Sequence, residues 1–245
     1  MIEFNMPLPP FGIYLVGGFV RDHIMGLESK DIDIVCEASS FEEMLTWVEA
    51  THKKVFLTNK EFLTIRALGN DNKPYDYVLT RRESGYSDGR HPDEVYIGSI
   101  LDDLARRDFT INSMAWSINN QELLDPHGGQ EDIDLKFLNC VGNTYKRFEE
   151  DPLRILRAMR FSITKGFMVN QQIAGVFKDP SWSERIINTV SMERIQEELK
   201  KCFFFDAAET MRFLVEDMSS EFRCKIFKSK FSNSNLWLEP TIKIK

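Results

Sequence analysis

Short apolar runs separated by turn residues fill the first half of the chain, and longer runs with a helical repeat fill the second half. Contiguous or alternating apolar residues predict strands at residues 14–16, 31–35, 53–57, 63–68 and 75–79. Helical spacing predicts helices at residues 19–25, 41–50, 100–106 and 109–116. Residues 84–92, rich in Gly, Ser, Asp and Pro, predict a loop. The first half therefore reads as mixed α and β structure.

A helical repeat dominates from about residue 149 onward. Asp151 followed by Pro152 predicts a helix start, and Gly166 predicts the end of that helix. Ser191 predicts another start, followed by an apolar stripe at residues 195, 199, 202 and 203. The change of pattern falls near residues 138–148, so we predict one domain of residues 1–140 and a helical one of residues 141–245.

Composition narrows the class of protein. The 245 residues carry 31 Lys and Arg against 38 Asp and Glu, a formal net charge of −7, which excludes a generally basic nucleic-acid coat but allows a local basic patch. The four cysteines form no C-x-x-C pair, so neither a zinc knuckle nor a disulfide scaffold is indicated. The uncharged residues 4–20 are interrupted by prolines and glycines and have no basic leader. We therefore expect no membrane span or signal peptide and a cytoplasmic location.

Two carboxylates and a glycine turn are the first candidates for chemistry. Asp31 and Asp33 are two residues apart in a predicted strand, so they share one face and repel each other unless a cation such as magnesium is bound. Taken alone, such a pair is more often a solvent-facing strand edge. Upstream, Gly17 and Gly18 allow a phosphate to approach the backbone closely, and Arg21 follows in the next helix.

Four ordered motifs carry a family resemblance. GGFVRD followed by KDIDIV resembles the class II tRNA CCA-adding enzymes and bacterial poly(A) polymerases, which are nucleotidyltransferases. LARRDFTINSMAW, LLDPHGGQEDI and EEDPLRILRAMRF follow in the order of that family, with a weaker match at SMERIQEEL. The resemblance spans about residues 14–161. It implies an α+β fold: a polymerase β-like nucleotidyltransferase head with a small mixed sheet and flanking helices, followed by an all-α neck.

The resemblance implies a third metal-binding acid at Asp76, within YDYVLTRRE. Asp31, Asp33 and Asp76 would then be the catalytic residues and the ligands of Mg²⁺. Three acids suit two magnesium ions that clamp the attacking hydroxyl and the triphosphate during in-line transfer. Without the resemblance, Asp76 is an ordinary acid at the start of a strand.

The second motif supplies candidates for phosphate and sugar contacts. The resemblance implies that Arg106 and Arg107 contact phosphates and that Asp108 holds the ribose, a contact that would select ribonucleotides. Asn112 lies four residues after Asp108 and either supports this contact or has a structural role. The alternative for the arginines is a solvated helix end.

The fourth motif supplies candidates for base recognition. Cytosine and adenine both present an amino donor beside a ring-nitrogen acceptor, so a carboxylate and a guanidinium can read both bases. Glu150, Asp151 and Arg154 offer these groups, and guanine or uracil would leave polar groups unpaired at about 1–3 kcal/mol each. Asp151 could instead only cap a helix. Arg157 is the next candidate for a nucleotide contact, and Arg160 is expected to pair structurally.

The resemblance implies template-independent transfer of CMP and AMP from CTP and ATP to an RNA 3′ end, with tRNA as the leading acceptor. Poly(A) polymerase activity is the alternative. Residues 59–62 read NKEF, where the bacterial poly(A) polymerases resemble one another in a basic G-[RK]-[RK]-F element, and this difference favours tRNA. A catalytically retired nucleotide- or RNA-binding protein is the alternative of another class, and the three acids argue against it.

The sequence leaves open how the chain would bind RNA. We expect a small RNA-binding region (the RNA grip), because about a hundred residues follow the catalytic part. Residues 219–245 carry six Lys and Arg against two Glu and could contact RNA, although a solvated surface is the default interpretation of such a run. Oligomerisation or a partner could also supply the grip. The sequence leaves the oligomeric state open.

Overall fold

The computed structural model describes residues 7–29, 32–89 and 91–229 of the chain. The chain divides into two compact units, Met1–Ser84 with Glu94–Ile133 and Gly85–Asp93 with Asp134–Lys245. The second unit therefore takes in a short segment of the first half. The domain bounds of 1–140 and 141–245 stay a prediction.

The first unit is built on a mixed sheet with helices beside it. Its elements are β1 (Gly12–Val16), α1 (Gly18–Ile24), β2 (Asp33–Glu37), α2 (Phe41–Thr51), β3 (Lys54–Asn59), β4 (Thr64–Leu68), β5 (Pro74–Leu79), β6 (Arg81–Ser84), β7 (Glu94–Ile97), α3 (Ile100–Ala105), β8 (Ala115–Ser117), β9 (Glu122–Leu124) and α4 (Gly129–Asp134). Seven strands form one sheet in the order β3-β4-β5-β2-β1-β8-β9. The β2–β5 pair is parallel and its neighbours are antiparallel.

Burial explains why these segments form strands and helices. The last four residues of β1 are all buried, as expected of an apolar run in the middle of a sheet. On α2, the side chain of Ser40 accepts a hydrogen bond from the Glu43 amide and caps the helix, while one face buries Phe41, Met44 and Val48. The mixed sheet with flanking helices is therefore confirmed.

The helix predicted over residues 109–116 is wrong. The chain instead makes one turn of 3₁₀ helix at Thr110–Asn112 and then enters β8. β8 pairs with β1 on one side and β9 on the other, and the Ser113 hydroxyl donates to the Leu104 carbonyl at 2.6 Å. Pairing within the sheet outweighs the local helical spacing.

The second unit is mainly helical. Its elements are β10 (Phe137–Leu138), α5 (Thr144–Glu150), α6 (Leu153–Lys165), β11 (Met168–Val169), α7 (Gln171–Lys178), α8 (Pro180–Thr189), α9 (Met192–Phe205), α10 (Ala207–Glu216) and α11 (Ser220–Ser229). β10 and β11 form a two-residue parallel pair, an addition to the predicted all-helical part. Gly166 ends α6 in the left-handed conformation (φ 72°) and Ser191 precedes α9, as predicted. The apolar stripe of α9 is buried.

Candidate active site

Asp33 and Asp76 lie side by side on the parallel strands β2 and β5. Asp33 is the register partner of Asp76, so both side chains leave the same face of the sheet. Their carboxylate oxygens are the donors that magnesium prefers. Asp31 lies outside the described residues. Within residues 7–29, 32–89 and 91–229, no three or more His, Cys, Asp or Glu are grouped so that they could hold a metal. The metal site at Asp31, Asp33 and Asp76 therefore stays a prediction.

Arg66 is a neighbour of Asp76 that the sequence analysis missed. It lies opposite Asp76 on the antiparallel β4–β5 pair. Its Nε donates to Oδ1 of Asp76, and its Nη2 donates to Oδ2 at 2.6 Å. Both carboxylate oxygens of Asp76 thus accept hydrogen bonds from one guanidinium. The side chains of the pair are 50% and 38% exposed, so water screens their attraction.

The turn between β1 and α1 requires glycine at Gly17. Its φ of 67° and ψ of −131° suit a residue without a side chain. A Cβ at this position would lie 2.9 Å from Nη1 of Arg107 and 3.8 Å from Oδ2 of Asp33. The turn therefore has a guanidinium and a carboxylate directly beside it, which brings together three of the predicted site residues. Gly18 follows as the first residue of α1.

Arg21, Asn112 and Asp108 form a buried chain of hydrogen bonds. Nη1 of Arg21 donates to Oδ1 of Asn112 at 2.5 Å, and Nδ2 of Asn112 donates to Oδ1 of Asp108 at 3.0 Å. Nε of Arg21 also donates to Asp22 at 2.9 Å. Arg21 is only 7% exposed. The three predicted residues are therefore in contact, with Asn112 as the bridge. Their nucleotide contacts stay predictions.

A fully buried carboxylate, Asp103, joins the two arginines of the second motif. Its Oδ1 accepts from Nη2 of Arg106 at 2.6 Å, and its Oδ2 accepts from Nη2 of Arg107 at 2.9 Å. Burial acts to raise the pKa of Asp103, but the two guanidiniums outweigh burial, and the pKa lies below its ordinary value. Asp103 is therefore ionised at neutral pH. The i, i+3 and i, i+4 spacing to the arginines was the sequence signal for it.

In the second unit, Glu150 holds Arg154. Oε2 of Glu150 accepts from Nη1 of Arg154 at 2.9 Å, and Oε1 accepts from Nη2 of Arg147 at 2.7 Å. Glu150 is buried at the end of α5, and Arg154 is the second residue of α6. Two of the three residues predicted to recognise the base therefore contact each other. Arg147 is a second partner of Glu150. The two residues have the same i, i+3 spacing as Asp103 and Arg106.

Asp151 has two partners at the junction of α5 and α6. Its Oδ1 accepts from the Leu153 amide at 3.1 Å, so it does cap α6 as the sequence predicts. Its Oδ2 accepts from Nη2 of Arg194 on α9 at 2.8 Å. Arg194 belongs to SMERIQEEL, the weakest of the motifs. A contact across 43 residues cannot be read from helical spacing, so the sequence analysis missed it.

Arg157 and Arg160 follow on α6. Nε of Arg160 donates to Oε2 of Glu198 on α9, the structural pairing that the sequence predicts. The guanidinium of Arg160 also lies 4.3 Å from the ring centre of Phe161. Arg157 lies 5.7 Å from the same ring. Its role as a nucleotide contact stays a prediction.

The mixed sheet and the glycine turn beside an acidic strand define the chain as a nucleotidyltransferase head with a helical part after it. A family profile described as "Poly A polymerase head domain" matches residues 13–139, just over half of the chain. The chain belongs to this family.

Similar curated proteins are named CCA-adding enzymes. The protein from Bacillus pumilus is 39% identical over 189 residues, which is 77% of this chain and 45% of that protein. The protein from Staphylococcus epidermidis is 33% identical over 234 residues, which is 95% of this chain and 56% of that protein. The chain thus spans about half the length of the curated relatives it matches.

Solved structures with a similar fold are also CCA-adding enzymes. The Bacillus stearothermophilus enzyme in complex with CTP has a TM-score of 0.71 and 27% identity, and the match covers 87% of this chain and 49% of that chain. The Thermotoga maritima enzyme complexed with tRNA has a TM-score of 0.68 and 25% identity, and the match covers 92% of this chain and 50% of that chain. The similarity therefore extends from the sheet into the helical part.

The helices that the structure describes are all too short or too polar to cross a membrane.

The four cysteines are free thiols, of which Cys224 is exposed and the others, Cys36, Cys140 and Cys202, are buried. Burial raises the pKa of Cys202 to about 12, so this thiol stays protonated and unreactive at neutral pH.

Proposed function

We propose that this chain transfers CMP and AMP from CTP and ATP to the 3′ end of tRNA without a nucleic-acid template, in the addition or repair of CCA. Membership of the family supports transfer of nucleotides, and relatives named CCA-adding enzymes support the choice of substrates. Solved relatives described with CTP, with an ATP analogue and primer tRNA, and with tRNA support the same three partners.

The observation that carries this proposal is the surroundings of Gly17. A carboxylate oxygen of Asp33 and the Nη1 atom of Arg107 both lie within 4 Å of where a Cβ of Gly17 would be. A triphosphate needs cationic donors and close approach to the backbone, while its transfer needs an acid that can hold a divalent cation. Gly17 allows the close approach, Arg107 supplies the cationic donor, and Asp33 supplies the acid.

Asp33 would hold Mg²⁺ together with Asp31 and Asp76, since carboxylate oxygens suit this ion. Magnesium would neutralise charge on the triphosphate and on the attacking hydroxyl. The protein's own contribution is to orient the nucleotide. Arg107 would bind phosphate oxygens, and Asp108, held by Asn112, would accept from the ribose. Arg21, through Asn112, would keep this arrangement fixed.

Base selection would belong to Asp151 and Arg154. The carboxylate of Asp151 would accept from the amino group of cytosine or adenine, and the guanidinium of Arg154 would donate to the ring nitrogen. Arg194 holds the first group and Glu150 holds the second, so both are oriented before a nucleotide arrives. Arg157 would be a further contact on the same helix.

Poly(A) polymerase activity is the second candidate, favoured by the description of the family profile. The NKEF segment argues against it. Lys60 in that segment is paired with Glu42 on α2, and Glu61 stands beside it with the opposite charge to a basic phosphate-binding element. The names of the relatives favour tRNA as the acceptor. A cytoplasmic location belongs to the proposal, and the free thiols fit a reducing compartment.

The four NTPs, singly and in pairs, should be supplied with Mg²⁺ to tRNA ending before CCA, after C and after CC, and to an unstructured RNA. We expect extension of tRNA by CTP and ATP together, with addition stopping at CCA. Asp33→Asn is the matched control and should abolish extension while the melting temperature stays near that of the wild type.

Other outcomes would decide against the proposal. ATP-only tails on the unstructured RNA would identify a poly(A) polymerase. Normal binding of CTP and ATP without any extension would identify a nucleotide-binding protein. Full activity of the Asp33→Asn variant would refute the assigned site.

A further inference from the structure

We infer that Asp103 is a positioning residue for nucleotide binding, because it fixes the guanidinium of Arg107 beside the glycine turn at Gly17. The inference rests on the proposed function, in which Arg107 contacts the triphosphate. Asp103 itself is fully buried on α3 and is not expected to touch the nucleotide.

Asp103 holds the guanidinium of Arg107 through two donors on one edge. Nη2 of Arg107 donates to Oδ2 of Asp103 at 2.9 Å, and Nε donates to the same oxygen at 3.3 Å. Two donors on one edge of a planar guanidinium fix both its position and its rotation. The side chain of Arg107 therefore cannot swing freely about its long aliphatic stem.

The donor of Arg107 that Asp103 does not contact, Nη1, lies beside the glycine turn. Nη1 of Arg107 is 3.4 Å from the backbone carbonyl of Asn112 and 2.9 Å from where a Cβ of Gly17 would be. The atom that Asp103 does not hold is thus the atom beside the turn, where the carboxylate of Asp33 also lies close to Gly17. Asp103 therefore accepts from Nε and Nη2 of Arg107, while Nη1 is left for the predicted contact with phosphate.

The charges and the exposure around Arg107 also suit contact with a polyanion. Arg81 and Arg106 both contact Glu83, and Arg106 and Arg107 both contact Asp103. Each of these two carboxylates is thus shared between two guanidiniums. The side chain of Arg107 is 18% exposed whereas that of Asp103 is 0% exposed, so a polyanion can reach the arginine but not its partner.

The test measures binding of CTP and CMP by equilibrium dialysis without RNA, in the presence of Mg²⁺. Asp103→Asn keeps the shape of the side chain but removes its charge. We expect its CTP affinity to fall about tenfold and its CMP affinity to change less than about twofold, because the lost contact is to the triphosphate.

Asp102→Asn is the matched control. Asp102 is the adjacent acid on the same helix and forms a capping box with Ser99, so its loss affects stability without touching Arg107. We expect a lower melting temperature and unchanged affinities for CTP and CMP. A purely structural role of Asp103 would give this same pattern.

Two further variants show whether Asp103 acts through Arg107 or independently of it. They are Arg107→Gln and the double variant that combines Arg107→Gln with Asp103→Asn. If Asp103 acts through Arg107, the double variant should bind CTP no more weakly than Arg107→Gln alone. Should Asp103→Asn fail to fold, Arg107→Lys replaces it. Lysine keeps the charge but cannot make the two-donor contact, so a tenfold loss of CTP affinity is again expected.

The results distinguish the inference from the proposed function. If the wild-type protein binds neither CTP nor ATP, the proposed function fails. If the wild type binds CTP and the Asp103→Asn and Arg107→Lys variants bind it equally well, the inference fails while the proposed function stands. Equal loss of CTP and CMP binding, or additive losses in the double variant, would also overturn the inference.

Discussion

Asp76 combines two electrostatic roles in one side chain. It is the register partner of Asp33 on the face where a metal is proposed, and both of its oxygens accept hydrogen bonds from Arg66. A guanidinium that donates to both oxygens fixes the orientation of this carboxylate. The pair is exposed, so water screens it and it is expected to contribute little to folding.

Substitution of Asp76 therefore separates the two roles. We expect Asp76→Asn to slow nucleotide transfer at least about 100-fold, because the charge that helps to hold magnesium is lost, and to leave the melting temperature close to that of the wild type. Single-turnover incorporation of CMP into a tRNA lacking CCA measures the rate, and a thermal melt measures stability.

Arg66→Gln is the control for the same pair. It breaks the contact but keeps the carboxylate, so we expect transfer within about threefold of the wild type, since an exposed ion pair is weak. If Asp76→Asn and Arg66→Gln reduce transfer equally, the acid acts only as the partner of Arg66.

At the scale of elements, α6 carries base-selection candidates on a helix that is anchored to α9. Arg160 on α6 contacts Glu198 on α9, and Lys201 contacts the same glutamate at 3.2 Å. Burial acts to raise the pKa of Glu198, but the charges of these two residues and of Arg157 outweigh burial and lower it. A second cross-helix contact, between Arg194 and Asp151, fixes the start of α6.

The stability contribution of Glu198 should depend on pH with a definite sign. Because its pKa is lower in the folded than in the unfolded state, its contribution is full above the unfolded value of about 4.3 and is lost as the pH falls through the folded value. We expect Glu198→Gln to lower the free energy of unfolding by about 2–3 kcal/mol at pH 7, since it breaks one side of a buried pair.

Urea denaturation from pH 7 to pH 3 checks this expectation. The difference between wild type and Glu198→Gln should be constant down to about pH 5 and shrink below about pH 4.3. Glu197→Gln, which changes the exposed neighbour, should change stability by less than about 0.5 kcal/mol. A difference that is the same at every pH would contradict the assigned charge interaction.

At the scale of the whole molecule, the basic end of the chain has a structural part and a part that remains a candidate for RNA contact. Phe222 on α11 is fully buried, and the hydroxyls of Ser219 and Ser183 are 2.7 Å apart. Arg223 donates to the backbone carbonyls of Leu214, Val215 and Met218, so it caps α10. Residues 230–245, with three lysines and one glutamate, lie outside the described residues.

Removal of residues 230–245 should weaken tRNA binding, because these residues carry three of the six basic side chains at this end of the chain. We expect the affinity to fall several-fold and the salt dependence of binding to decrease, because fewer cations displace counterions from RNA. Filter binding at 50 to 200 mM salt measures the affinity, and incorporation of CMP into a short primer should be less affected.

A chain of full length with Lys230, Lys243 and Lys245 changed to Gln is the matched control and should show the same loss. A longer truncation, before Ser219, would also remove Phe222, so it would change folding as well as RNA binding. We expect it to lower stability by about 3–5 kcal/mol. If tRNA affinity is unchanged without residues 230–245, this segment is not the RNA grip.

The sequence alone predicted the strands β1 to β5, the helical character of the second half and the residues of the motifs. Burial of β1 and of the stripe on α9 follows from periodicity, which depends only on neighbours along the chain. Capping by Asp151 and the end of α6 at Gly166 were predictable for the same reason. The glycine at Gly17 was also visible, because only glycine readily adopts its backbone conformation.

Only the tertiary structure decided which groups meet across the chain. β8 became a strand because it pairs with β1 and β9, against its own helical spacing. The pairing of Arg66 with Asp76 depends on strand register, and that of Arg194 with Asp151 depends on the packing of α9. Asp103 had the right spacing to its arginines, but its complete burial was decided by the rest of the fold. Contacts between distant segments depend on three-dimensional packing, which local patterns in a sequence do not encode by themselves.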